Sequence, residues 1–147
     1  MVVLTNHNAF IYSVLGMSLL LQLGCGGREP PVEMGTVKGV VKYADGSIPQ
    51  GEIVRIVFNP VFDQDVRYQK MASGHVQPDG TYQLGTVEPG DGVMPGRYRV
   101  LLEIREKHDD PDMLISGDYL HPERTPLPEV TVKEGVNEFN FTDIPRP

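Results

Sequence analysis

Arg97-Tyr98-Arg99-Val100-Leu101-Leu102-Glu103-Ile104-Arg105 reads as a β-strand from end to end. Tyr98, Val100, Leu102 and Ile104 fall on one side of a two-residue repeat, and Arg97, Arg99, Glu103 and Arg105 on the other. Side chains of an extended backbone alternate between faces, so this spacing predicts one apolar and one wet face.

The same period recurs on both sides of that strand. Upstream, Val37, Gly39, Val41 and Tyr43 alternate with Thr36, Lys38, Val40 and Lys42. Ala44-Asp45-Gly46-Ser47 ends that run with a turn, because Asp-Gly tolerates the positive φ a tight reversal needs. Glu52 to Phe58 is the most β-branched run and reads as a central strand, closed by Asn59-Pro60. A third strand is expected over Arg67 to Val76, and Pro78-Asp79-Gly80 turns the chain into Thr81-Tyr82-Gln83-Leu84. Downstream, Glu129 to Val132 and Asn137 to Phe141 form two short strands joined by Lys133-Glu134-Gly135. No amphipathic helix of normal length interrupts the pattern. The expectation is an all-β, seven-stranded antiparallel β-sandwich of the Ig-like kind over residues 35–143, with 144–147 as a tail.

Glu106 to Pro128 breaks the rhythm. It is charged, proline-rich and long for a connection without its own structure, which marks function or mobility. Met113-Leu114-Ile115 and Tyr119-Leu120 are the groups able to pin it to the sandwich.

Ahead of the strands, Ala9 to Leu23 is nearly all apolar or small and carries no charge. It is short for a ~30 Å hydrocarbon layer and suits the apolar region of a secretory signal. It ends in Leu21-Gln22-Leu23-Gly24-Cys25, which holds the only cysteine. This is the form a bacterial signal takes when its cleavage site is also a lipid-attachment site. Residues 1–24 then form a lipoprotein signal peptide, Cys25 becomes the acylated N-terminus, and 25–34 form a Gly/Pro tether. Two features depart from the usual pattern: residues 1–24 contain no Lys or Arg, and Gln22 stands where an aliphatic residue is customary. An ordinary signal peptide and an uncleaved anchor are the alternatives.

All 13 basic and 20 acidic residues follow Cys25, and the net charge is −7. No Lys/Arg cluster interrupts the acidic balance, which argues against nucleic acid and against electrostatic adhesion to anionic lipid. With Cys25 consumed, no second thiol is left for a disulfide, so stability must come from the core.

Several stretches together resemble a known family. Gly39-Val40-Val41-Lys42-Tyr43-Ala44-Asp45-Gly46, then Pro49-Gln50-Gly51 and the strand to Phe58, resembles the opening of carboxypeptidase regulatory-like domains, a transthyretin-like (prealbumin-like) sandwich family. Asp79-Gly80-Thr81-Tyr82-Gln83-Leu84 is similar to that family's turn into its middle strand. The run from Pro89 to Val100, with Pro95-Gly96-Arg97-Tyr98 at its centre, looks like a motif of a subgroup found as short bacterial lipoproteins. Tyr119, Pro122, Thr125 and Leu127, followed by Val130, Val132, Gly135, Asn137, Phe139 and Phe141, resemble its C-terminal signature. The resemblance spans about Gly35 to Phe141 and implies a sandwich without an active site. The Tyr-Arg-Gly-Ser ending of the related 5-hydroxyisourate hydrolase is absent from Phe141-Thr142-Asp143-Ile144-Pro145-Arg146-Pro147.

Independently of that likeness, Tyr98 lies just inside a strand after a corner built from Gly90, Gly92, Gly96, Pro89 and Pro95. Such a tyrosine can bury its ring and return its hydroxyl to upstream backbone, as in a tyrosine corner.

Candidate chemistry is sparse. Asp63, Asp65, Asp91, Asp109, Asp110 and Asp112 invite a calcium site, yet calcium needs six to eight oxygens at once and no EF-hand loop is present. His75, His108 and His121 lack the close pairing of zinc ligands. Ser47, Ser73 and Ser116 lie outside any Gly-x-Ser-x-Gly elbow, and Ser116-Gly117-Asp118 near His121 reads as loop polarity. Glycan stacking would fall to Phe62, Tyr68 and Tyr119, since the chain has no Trp and Tyr82 reads as core.

The sequence therefore predicts a non-catalytic exported lipoprotein with no cofactor and no metal, attached to a bacterial membrane through acyl chains on Cys25. It would lie in the periplasm or on the outer face of the cell envelope, as a structural or protein-interaction module with an envelope protein as partner. The alternative is a module binding glycan or calcium.

Overall fold

Strand β1 (Gly35–Tyr43) buries Val37, Val41 and Tyr43 and turns Thr36 and Lys38 outward, as its alternation requires. The computed structural model describes residues 33–62 and 69–147. The apolar segment, Cys25, the tether up to residue 32, Asp63, Asp65 and Tyr68 lie outside the described residues.

Seven further strands follow: β2 (Ile53–Pro60), β3 (Ala72–His75), β4 (Thr81–Gln83), β5 (Gly96–Arg105), β6 (Glu129–Val132), β7 (Gly135–Glu138) and β8 (Phe141–Ile144). Gly117–Leu120 forms a single 3₁₀ turn, and the described residues contain no α-helix. The described residues are all-β. One sheet runs β4-β1-β7, with β8 also on β1; the other runs β3-β2-β5-β6. A single apolar cluster joins them, with Ile56, Phe58, Tyr98, Val100, Leu102 and Ile104 from one sheet meeting Val37, Val41, Tyr82, Phe141 and Ile144 from the other. Phe58 lies at its centre, 6.0 Å from the Tyr98 ring and 5.8 Å from Phe139.

Two expectations change. The described residues hold eight strands, not seven, and β1 pairs in parallel with both β7 and β8. Asn140 is the cause of the extra strand. The run 137–141, expected to be one strand, breaks where the Asn140 side-chain oxygen accepts the Val40 N–H at 3.0 Å in place of a backbone carbonyl. The chain resumes pairing one step on, Val41 opposite Phe141 and Tyr43 opposite Ile144. Ile144 is only 1 % exposed, so the last strand reaches into the stretch read as a tail. The third strand is shorter than expected, Ala72–His75 within the described residues.

The two Asp-Gly turns form as read. Gly46 and Gly80 have φ of 83° and 87°, and Asp45 and Asp79 each accept a hydrogen bond from the backbone N–H two residues on. The long connection after β5 is pinned by the groups the sequence singled out: Ile115 and Tyr119 are buried, and Leu114 N–H donates to Ile104 O at 2.8 Å.

Candidate functional site

A groove of about 890 Å³ lies where β4 approaches β3. Ser73 and Gly85 exchange backbone hydrogen bonds of 2.9 and 3.0 Å there, joining the edges of the two sheets. A Cβ on Gly74 would strike the Gln83 carbonyl, so the absence of a side chain permits the close approach. Lys38, His75, Gln77, Gln83, Val87 and Glu138 surround the groove, and Lys38 lies in register with Glu138 across β1 and β7. Its walls combine opposite charges with amide donors and acceptors, which suits a polar polypeptide better than an apolar small molecule. Tyr82 faces inward instead. Its hydroxyl donates to Phe139 O at 2.7 Å, and burial, reinforced by the Glu138 charge, raises its pKa well above the usual phenol value.

One rim of the groove is the loop 85–92, and Asp91 organises it. One carboxylate oxygen accepts the Thr86 N–H at 2.6 Å, and the other accepts those of Val87 and Glu88 at 3.0 Å each. These bonds, led by that from Glu88, hold the carboxyl below its ordinary pKa. Asp91 was a calcium candidate; its oxygens are engaged by backbone donors, and Val87 is left 77 % exposed at the tip.

The corner leading into β5 matches the expectation for Tyr98. Its ring is fully buried and its hydroxyl donates to Met94 O at 2.7 Å. Burial pushes the phenol pKa up to about 12. Gly96 has φ of 147°, and a Cβ there would collide with the amide of Gln69, whose Nε2 donates to Pro95 O at 3.2 Å.

Sequence reasoning missed Glu103. Expected on a wet face, it is buried, with Arg55 Nη2 at 2.6 Å and Arg105 Nε at 2.7 Å. Burial opposes its ionisation, but hydrogen bonds from Arg105 and Arg55 outweigh that and lower its pKa. Arg105 also donates to Asp110 O and Pro111 O, so this charge cluster anchors the start of the long connection. A signal was available. Leu101 occupies the same face of β5 and is also buried, and an apolar residue between Arg99 and Glu103 marks a covered surface.

The remaining candidates are dispersed. His75 lies on β3, His108 donates its backbone N–H to Glu52, and His121 follows the 3₁₀ turn. Ser116 caps that turn by accepting the Asp118 N–H. Asp110 accepts the Asp112 N–H, a local turn contact. Of the glycan candidates, Tyr119 is 5 % exposed and its ring is part of the core, whereas Phe62 is 78 % exposed. Among the described residues, no three His, Cys, Asp or Glu side chains are grouped to hold a metal ion. No family model matches this chain, and neither a curated protein nor a solved structure matches it.

Proposed function

We propose that the chain is an exported lipoprotein, cleaved before Cys25 and acylated on it, whose sandwich serves as a non-catalytic structural or protein-interaction module at the cell envelope. The observation that carries this reading is Leu21-Gln22-Leu23-Gly24-Cys25 at the end of the only long apolar segment, with every Asp, Glu, Lys and Arg beyond it. A single thioether-linked diacylglycerol and an amide-linked acyl chain would hold the protein far more firmly than one chain, at ~0.8 kcal/mol per buried CH₂.

Two facing sheets over one core support the transthyretin-like reading of the body, in the form implied by the family likeness. The groove beside β3 and β4 is the surface for an envelope protein, because its mixed charges and amides match a polar chain. The test is labelling of cells expressing the wild type and Cys25→Ala with radioactive palmitate. Label on the wild type with none on the variant supports the reading; no label on either, or equal label on both, refutes it.

A further inference from the structure

Five large apolar side chains are exposed among the described residues: Met34, Phe62, Met71, Val87 and Val136. The strand registers bring all five to one end of the sandwich. β1 starts there, and Gly35 bridges Val93 and lies in register with Gly135. Met34, the loop bearing Val87, and Val136 beside Thr36 therefore share that end. In the other sheet Gly96 lies opposite Val132, the last residue of β6, which Lys133-Glu134 joins to the start of β7 at Gly135. Pro60 is opposite Tyr98 and Phe58 opposite Ala72, which places Phe62 and Met71 beyond the same end.

Charge divides the other way. The far end carries Asp45, Asp79, Glu106, Asp109, Asp110 and Asp112, which outnumber Lys42, Lys107 and Arg146, and no large exposed apolar side chain. Among the described residues the apolar end is nearly balanced, with Lys70, Arg97 and Lys133 against Glu33, Glu88, Asp91 and Glu134.

We infer that the end of the sandwich where β1 begins rests on the lipid surface, with Val87, Phe62 and Met71 in the interfacial layer. This rests on the proposed acylation of Cys25 and adds the direction in which the body faces. From Cys25 to Met34 the chain reaches at most about 30 Å, at ~3.6 Å per residue, and it meets the body at the apolar end. Held that close, side chains too few to bind a bilayer from solution meet it at high effective concentration. The Asp91 hydrogen bonds fix the loop in advance, so little ordering entropy opposes insertion of Val87. Repulsion of the acidic far end by an anionic leaflet favours the same orientation.

The chain contains no Trp, so Val87→Trp and Asp109→Trp each supply a single tryptophan, both at exposed positions. The two full-length proteins are recovered from membranes and reconstituted in phosphatidylcholine vesicles containing nitroxide-labelled lipid. Quenching at Val87→Trp should exceed that at Asp109→Trp at least about twofold, as expected for a side chain 5–10 Å into the interface. Equal quenching, or stronger quenching at Asp109→Trp, overturns the orientation. So does a dimer in light scattering that shields Val87→Trp without vesicles, which would assign the apolar end to a second copy. Intact mass reports acylation separately. A chain lacking acyl groups is coupled through Cys25, its only thiol, to a maleimide headgroup lipid and read in the same way, so the two readings fail independently.

Discussion

Removing the hydroxyl of Tyr98 tests the corner that sets β5 in place. Tyr98→Phe keeps the ring against Phe58 and deletes one bond, the 2.7 Å contact from the hydroxyl to Met94 O. A hydrogen bond of this kind contributes about 1 kcal/mol net, and a buried carbonyl left unpaired costs about 1–3 kcal/mol. The expected loss is therefore about 1–2 kcal/mol, with Tm falling by about 4 °C per kcal/mol for a body of this size. Urea and thermal unfolding of the full chain, followed by circular dichroism, give the value, with m unchanged because the surface exposed on unfolding is the same. High pH supplies a second readout. Because the folded phenol pKa is raised to about 12, the stabilisation is fully present below the ordinary phenol value and lost as pH rises through the folded one. The Phe variant should lose less stability than wild type over that range. Unchanged midpoints in urea and heat, with the same alkaline limb, would refute the corner.

Two other substitutions probe features the pattern did not reveal. Glu103→Gln leaves Arg55 and Arg105 facing a neutral amide and should cost about 1–3 kcal/mol at neutral pH. Since the folded pKa of Glu103 is lowered, its contribution is present above the unfolded value and lost as pH falls through the folded one, so the variant should show a shallower stability loss below about pH 4. A Tm-versus-pH curve as steep as wild type would count against the cluster. Gly96→Ala must adopt φ near 147° and displace the Gln69 amide, whereas Gly46→Ala meets nothing within 4 Å and bears only its own φ of 83°. Chemical denaturation should show Gly96→Ala to be the more damaging by about 1–3 kcal/mol, and the reverse order would contradict the packing at that corner.

Most strands were legible because one face of each is buried, and burial imposes the two-residue period on the sequence. β1 and β6 follow that rule within a residue of their limits, and β5 keeps its limits although Leu101 and Glu103 bury its second face as well. The ending was not legible, because the break between β7 and β8 depends on a bond from the Val40 N–H to the Asn140 side-chain oxygen, one hundred positions away, with no local period to announce it. Parallel pairing with β1 is hidden for the same reason: alternation reports which face is buried, not the direction of the neighbour. Tyr98 could be read from local turn chemistry, since its acceptor lies four residues upstream. Glu103 could not, since its burial comes from residues distant in sequence, and only Leu101 hinted at cover. The apolar end is invisible to any window of sequence, because Met34, Phe62, Met71, Val87 and Val136 are separated by whole strands and meet only through the registers.

The central proposition is covalent, and a mass decides it. The chain extracted from membranes in detergent is weighed intact beside Cys25→Ala. The expected result is a wild type that has lost residues 1–24 and gained the mass of acyl chains at Cys25, with neither change in the variant. A wild-type mass that still includes residues 1–24, or one without added lipid, would contradict it.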